Sequence, residues 1–223
     1  AKQYMNYEKE LAVCLNAVNS VRDLILEIYN SDDFGTEIKS DNSPVTKADK
    51  LTDLKIRDIL KKEFPNYALL TEESVDDKAR LNNDYVFIVD PIDGTKDFVL
   101  KNDEFTVDIG LSYKHEAVLG VILLPVTGEI YYAIKGEGSF YKKNKDSDSV
   151  RIRCSDRLDN LICVMSKTHF NEDEQEIINK YNKKFARVRN IGSTIKGCLI
   201  AKGEADYHYR RSEHTKEWDT CAM

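Results

Sequence analysis

The apolar run Tyr85-Val86-Phe87-Ile88-Val89 constrains this chain most, because it empties into Asp90-Pro91-Ile92-Asp93-Gly94-Thr95. The run is short, β-branched and aromatic, and reads as a buried strand. Two carboxylates at the exit of a buried strand are costly unless something of opposite charge meets them. A divalent cation does so, since hard cations take carboxylate oxygens. Gly94-Thr95 then opens a turn or helix whose free N–H groups can face an anion beyond that cation. Carboxylates, metal and phosphate in that order are the parts of metal-assisted phosphoryl chemistry.

The elements around this motif follow from periodicity. Leu11, Cys14, Leu15, Val18, Val21, Ile25 and Ile28 recur at helical spacing, which predicts an amphipathic helix over Tyr7 to Tyr29. Thr46 is a good N-cap with Asp49 three residues on, and the helix it starts runs from Lys47 to Glu63 with Leu51, Leu54, Ile59 and Leu60 inward. A short strand over Tyr67 to Leu70 delivers Thr71-Glu72-Glu73-Ser74. Beyond the acidic motif, Phe105 to Leu111, Ala117 to Leu124 and Glu129 to Ile134 read as a meander with Lys114-His115-Glu116 at one tip. Gly136 and Gly138 mark the expected boundary between an N-terminal α+β subdomain, 1–137, and a C-terminal α/β subdomain, 138–223. In the latter, strands at Leu161 to Met165, Phe185 to Val188 and Ala205 to Tyr209 alternate with two helices. One helix spans Glu172 to Lys184 with Ile177, Ile178 and Tyr181 inward. The other starts at Ile191-Gly192-Ser193-Thr194 and reaches Lys202.

A net charge of -6 argues against a nucleic-acid polymer as partner, which calls for a basic face. A small anionic substrate remains compatible, because bound cations invert the local field. The five cysteines are scattered without a C-x-x-C spacing, as expected of reduced thiols. The polar opening residues and the absence of a long apolar run predict a cytoplasmic protein without stable membrane insertion.

Asp49, Glu72, Asp90 and Asp93 all stand at predicted element ends, and Asp219 follows Trp218 near the last residue. Asp90-Pro91-Ile92-Asp93-Gly94-Thr95, Glu72-Glu73 and Trp218-Asp219 together resemble the inositol monophosphatase superfamily, in its motif order and approximate spacing. The resemblance implies a layered αβαβα sandwich of the inositol monophosphatase and fructose-1,6-bisphosphatase type, in two subdomains. It implies lithium-sensitive phosphatase activity with two or three Mg2+ ions held by Glu72, Asp90, the carbonyl of Ile92, Asp93 and Asp219. It also implies that Thr95, Asp49 and Glu72 serve the attacking water, and that further chain follows the position of Met223, leaving Asp219 on an end open to fraying.

Asp93-Gly94-Thr95-Lys96-Asp97-Phe98 with Asn102-Asp103-Glu104-Phe105-Thr106-Val107 is similar to the 3'(2'),5'-bisphosphate nucleotidases, as is Gly192-Ser193-Thr194-Ile195-Lys196. The expected substrate is therefore adenosine 3',5'-bisphosphate, giving AMP and phosphate in a monomer or homodimer. Expected substrate contacts are Gly94, Thr95, Gly192, Ser193, Lys196, Arg210 and Asp219. Arginine suits a second phosphate through its planar fork, and Arg211 is a neighbouring candidate. Inositol monophosphatase, fructose-1,6-bisphosphatase or an inactive nucleotide- or metal-binding relative are the alternatives. His115 and His169 lack metal-ligand spacing, whereas His208 and His214 fall near the expected substrate region.

Overall fold

The computed structural model describes residues 6–168, 170–212 and 215–223. Its first half runs α1 (Glu8–Tyr29), a small hairpin of β1 (Glu37–Ile38) and β2 (Pro44–Val45), α2 (Lys47–Glu63), β3 (Ala68–Thr71), β4 (Tyr85–Asp93) and α3 (Thr95–Val99). Then come β5 (Thr106–Tyr113), β6 (Glu116–Leu123), β7 (Ile130–Ile134), β8 (Gly138–Lys142) and β9 (Val150–Ile152). The last part holds β10 (Leu161–Ser166), α4 (Glu172–Lys180), β11 (Phe185–Ile191), α5 (Ile195–Ala201) and β12 (Tyr207–His208), followed by a short turn of 3-10 helix at Glu217–Asp219.

Strands β3 to β9 form one seven-stranded sheet in sequence order. β3 and β4 are parallel, and the remaining pairs are antiparallel. The expected boundary at 137/138 falls inside the β7–β8 hairpin of this sheet. The change of sheet comes later, between β9 and β10, where a three-stranded parallel sheet begins in the order β11-β10-β12. Lys114 and His115 adopt left-handed φ of 48° and 66°, the mirror-image turn that suits a two-residue hairpin.

Layering follows from alternation along the strands. Val107, Ile109 and Leu111 of β5 join Phe87 and Val89 of β4 in the core that α1 and α2 cover. On the opposite face, Ile122 and Tyr131 pack against Cys198 of α5, Ala222 and Ile152. Ile162 and Val164 of β10 face α5, while Cys163 and Met165 face Ile178 of α4. The order of layers is thus helices, large sheet, α5 with the segment 217–223, small sheet and α4: the αβαβα sandwich.

Two amphipathic assignments change. Leu51 and Leu54 of α2 are 44% and 48% exposed, and the inward face is instead Ala48, Asp49, Thr52, Asp53, Ile56 and Leu60. The cap sets this phase: Asp49 accepts from the Thr46 N–H at 2.7 Å and from Thr46 Oγ1 at 2.6 Å, and a face that includes Asp49 leaves Leu51 and Leu54 outside. Helix α4 ends at Lys180, so Tyr181 caps it and stays exposed, while Ile178 alone of the expected trio is buried.

The segment 217–223 is docked against the large sheet. Gly110 and Gly120 are cross-strand partners on β5 and β6. A Cβ on Gly110 would stand 2.5 Å from Cys221 Sγ, and one on Gly120 would stand 2.2 Å from the Ala222 carbonyl oxygen. The glycine pair is a trough into which the backbone of this segment fits. Asp219, expected on a fraying end, is held by this packing and by Trp218 against Ala68, Leu70 and Val86. All five cysteines are free thiols, and no described helix is long and apolar enough to cross a membrane.

Candidate active site

A β-bulge builds the acidic centre. Asp90 pairs with Asp108 and Asp93 with Thr106, so three steps on β4 oppose two on β5. In a regular strand residues three apart face opposite sides; the extra residue turns Asp90 and Asp93 to the same side. Pro91, which cannot donate to a ladder, sits in the irregularity. The strand thus continues through both aspartates. Asp219 enters from the docked segment, its Oδ2 accepting the Lys216 N–H at 2.7 Å, and carboxylate oxygens of Asp90, Asp93 and Asp219 lie within 4.8 Å of one another.

Glu72 joins them because β3 and β4 are parallel. Its N–H donates to the Val89 carbonyl at 3.2 Å, which sets it at the carboxyl end of β3 beside Asp90, and its side chain meets the Asp90 carboxyl. Burial, reinforced by Glu72, Asp93, Asp108 and Asp219, pushes the Asp90 carboxyl well above the usual range. Burial likewise raises Asp93 to about 7, against the partial offset of Lys196. Glu72 and Asp219 are raised for the same first reason. Asp90 Oδ1 is buried and has no hydrogen-bond partner. A crowd of hard oxygen donors with an orphaned buried oxygen is the donor set a divalent cation fits.

Thr95 and Asp49 form the other wall. Thr95 Oγ1 donates to Asp49 Oδ1 at 2.8 Å and lies 3.2 Å from the Ile92 carbonyl. Asp49 is fully buried at the start of α2, and its carboxyl is raised by burial against the Thr46 and Thr95 hydrogen bonds. The structure therefore brings together every carboxylate expected from the sequence, with Ile92 and Thr95. Gly94, at φ 92°, turns the chain between Asp93 and α3.

The expected substrate contacts lie differently. The Gly192 N–H donates to Glu104 Oε2 at 2.8 Å, and Ser193 sits at a left-handed φ of 52°. Lys196 is buried, its ammonium donating to the Ile191 carbonyl at 3.1 Å and the Ser193 carbonyl at 2.6 Å. Arg210 pairs with Glu174 of α4 at 3.3 Å, and Arg211 with Asp173 at 3.4 Å on the surface. His208 Nδ1 lies 2.9 Å from the Val164 carbonyl, and burial lowers its pKa. His169 and His214 lie outside the described residues.

Two functional-site neighbours, Lys39 and Asp108, were not expected from the sequence. Lys39, in the β1–β2 hairpin, reaches Glu72 at 3.0 Å and also pairs with Glu73. Although burial alone would lower it, the two carboxylates raise its pKa. No local pattern links Lys39 to acids more than thirty residues away. Asp108 is buried with Oδ2 unpartnered, and its Oδ1 accepts from Thr194 Oγ1 at 3.0 Å. Thr194 also donates its N–H to Asp93 Oδ2 at 2.6 Å. Asp108 was legible: it shares the period-2 face of β5 with Thr106 and Gly110, opposite Val107 and Ile109.

An αβαβα sandwich whose sheet edge, bulge and docked segment converge carboxylates beside a Thr–Asp pair defines a class of phosphoric monoester hydrolases. The chain belongs to the inositol monophosphatase family, whose model matches residues 6–223. It is 35% identical over 214 residues to the 3'(2'),5'-bisphosphate nucleotidase CysQ of Escherichia coli strain K12, covering 94% of this chain and 83% of that protein. The crystal structure of CysQ from Bacteroides thetaiotaomicron, a bacterial member of the family, superposes with a TM-score of 0.82 at 35% identity, covering 97% of this chain and 84% of that one. An inositol monophosphatase/NADP phosphatase crystallised with Mg2+ and phosphate shares the fold at a TM-score of 0.80 and 21% identity, covering 96% and 78%.

Proposed function

We propose that this chain hydrolyses adenosine 3',5'-bisphosphate to AMP and phosphate with magnesium as cofactor. The observation that carries the reading is the cluster of Asp90, Asp93 and Asp219, with an orphaned Asp90 oxygen, beside the Thr95–Asp49 hydrogen bond. Two relatives named CysQ at 35% identity support the choice of a bisphosphorylated nucleotide.

In this reading Glu72, Asp90, Asp93, Asp219 and the Ile92 carbonyl hold two or three Mg2+ ions. Bound there, the ions supply positive charge to phosphoryl oxygens and make a water more acidic. Thr95, its proton committed to Asp49, turns a lone pair of Oγ1 toward that water and orients it for attack on phosphorus in line with the leaving ribose oxygen. As the water loses its proton to Thr95 Oγ1, Thr95 passes its own to the buried Asp49 carboxylate that already accepts its hydrogen bond. The N–H groups of Gly94 and Thr95 face the charge that develops on the phosphoryl oxygens. Water attacks directly, without a covalent enzyme intermediate.

Phosphate release is measured from adenosine 3',5'-bisphosphate, inositol 1-phosphate and fructose 1,6-bisphosphate, with and without magnesium and lithium. The expected result is magnesium-dependent, lithium-inhibited turnover with the nucleotide preferred. Preference for inositol 1-phosphate or the sugar would overturn the substrate, and nucleotide binding without turnover would overturn the enzyme.

A further inference from the structure

Asp108 is buried beside the acidic centre, in a place that packing alone does not explain. On the ladder it stands opposite Asp90 of β4 on one side and Ile122 of β6 on the other. Like charges paired across strands repel, and a buried polar atom without a partner carries its full desolvation cost. Oδ2 of Asp108 is such an atom. Among the described residues no lysine or arginine forms an ion pair with this carboxylate. An apolar side chain such as that of Ile122, also buried, would suit the position better if stability were all that it served.

What Asp108 does hold is Thr194. Its Oδ1 accepts from Thr194 Oγ1 at 3.0 Å, and Thr194 Oγ1 lies 2.7 Å from Thr106 Oγ1. With the Thr194 hydroxyl proton committed to Asp108, Thr106 is the donor to Thr194. Thr194 is the N-cap of α5, a position where a threonine side chain ordinarily accepts a helix N–H. It makes no such bond here. The hydroxyl is turned down onto β5 instead, while the N–H of the same residue donates to Asp93 Oδ2 at 2.6 Å. Thr194 therefore joins two acids on neighbouring strands, Asp108 at its hydroxyl and Asp93 at its N–H.

We propose that Asp108 is a positioning residue for the metal ligand Asp93: it fixes the Thr194 side chain, and Thr194 through its N–H keeps the Asp93 carboxylate turned toward Asp90 and Asp219. The inference rests on the metal-holding part of the function proposed above and is independent of the substrate. The physical need is plain. Carboxylate oxygens of Asp90, Asp93 and Asp219 lie within 4.8 Å of one another and repel, so they splay apart unless each is held from outside. A ligand fixed beforehand spares the cation that work, which is why outer partners tune metal affinity.

Binding of Mn2+ alone to the full chain, followed by the paramagnetic resonance signal of the free ion, tests this without substrate. The binding step lost in Asp93→Asn identifies the ion that Asp93 holds, and the other variants are read on that step. Asp108→Ala weakens it about tenfold, the lower end of what losing a ligand's outer partner costs. Asp108→Asn keeps an acceptor for Thr194, though a weaker one, and loses about threefold. Thr194→Val keeps the N–H on Asp93 and the side-chain shape, removes the hydroxyl, and also loses about tenfold. The double variant Asp108→Ala with Thr194→Val binds within about twofold of the weaker single one, because both changes break the same link. Unmoved affinity in Thr194→Val overturns the proposal, even where the Asp108 variants do not fold. Losses that add in the double variant overturn it too. So does an asparagine variant as weak as the alanine one, which would make charge rather than position the cause. Wild-type protein that binds no Mn2+, or binds it undiminished in Asp93→Asn, overturns the metal reading and this inference with it. Wild-type protein that binds Mn2+ through Asp93, with the Asp108 and Thr194 variants unmoved, overturns the inference alone.

Discussion

The two faces of β5 carry opposite chemistry within one strand. Val107, Ile109 and Leu111 point into the apolar core under α1 and α2, where Phe87, Phe98 and Phe105 are fully buried. Thr106, Asp108 and Gly110 point the other way, toward Thr194, Asp93 and Cys221. Both faces are buried, so exposure does not separate them. The first gains stability from area removed from water. The second adds Asp108 to the Asp90 and Asp93 of β4, a crowd of carboxylates each raised by burial, whose favourable partner is a cation. The first face holds the second in shape, and the contrast can be tested by damaging each separately.

The largest effect belongs to the acidic face. Asp90→Asn lowers magnesium-dependent phosphate release by at least about 10³-fold, beyond the 10–100-fold typical of residues that only support a ligand. Its thermal unfolding stays close to that of the parent, since a crowded buried carboxyl is replaced by a neutral isostere. Near-normal turnover in that variant would remove Asp90 from the chemistry. On the apolar face, Phe87→Ala costs about 3–5 kcal/mol in urea unfolding through transfer and cavity terms. A loss under 1 kcal/mol would mean this core is not tightly packed.

Gly110→Ala probes the seam between the two. Its Cβ overlaps Cys221, so the segment carrying Asp219 must shift, at a cost of about 1–3 kcal/mol. Activity falls by more than that stability loss explains; parent-level turnover would show that Asp219 does not need the glycine trough. A smaller effect comes from the cap. Thr46→Ala loses about 1 kcal/mol in thermal unfolding and lowers kcat modestly, because Thr46 both starts α2 and holds Asp49. Unchanged stability would argue that the cap is redundant.

The pH response is smaller again. In metal-free protein the folded Asp93 carboxyl sits near 7, above its unfolded value. Its contribution to stability is therefore present below the unfolded pKa and is lost as pH rises through about 7. Magnesium relieves the ionised cluster, so the Tm gain on adding it is larger at pH 8 than at pH 5.5. The difference is a few degrees, given that ~1 kcal/mol moves Tm by about 2–4 °C in a chain of this size. A metal-induced Tm gain that does not depend on pH would refute the link to these carboxyls.

What could be read from the residues alone is local. The strand before Asp90, the helix α1 and the Thr46–Asp49 cap follow from periodicity and cap chemistry, and the acids were individually visible at element ends. The resemblance to a family supplied their grouping and the sandwich. Three things were decided only in tertiary structure. A bulge in the β4–β5 ladder put Asp90 and Asp93 on one side, although their spacing in a regular strand would separate them. Docking on Gly110 and Gly120 fixed Asp219. Cations far along the chain, Lys39 and Lys167, met their acids through the fold alone. Local propensity is written in neighbours within a few residues, whereas bulges, glycine troughs and buried charge pairs depend on which distant strands lie side by side.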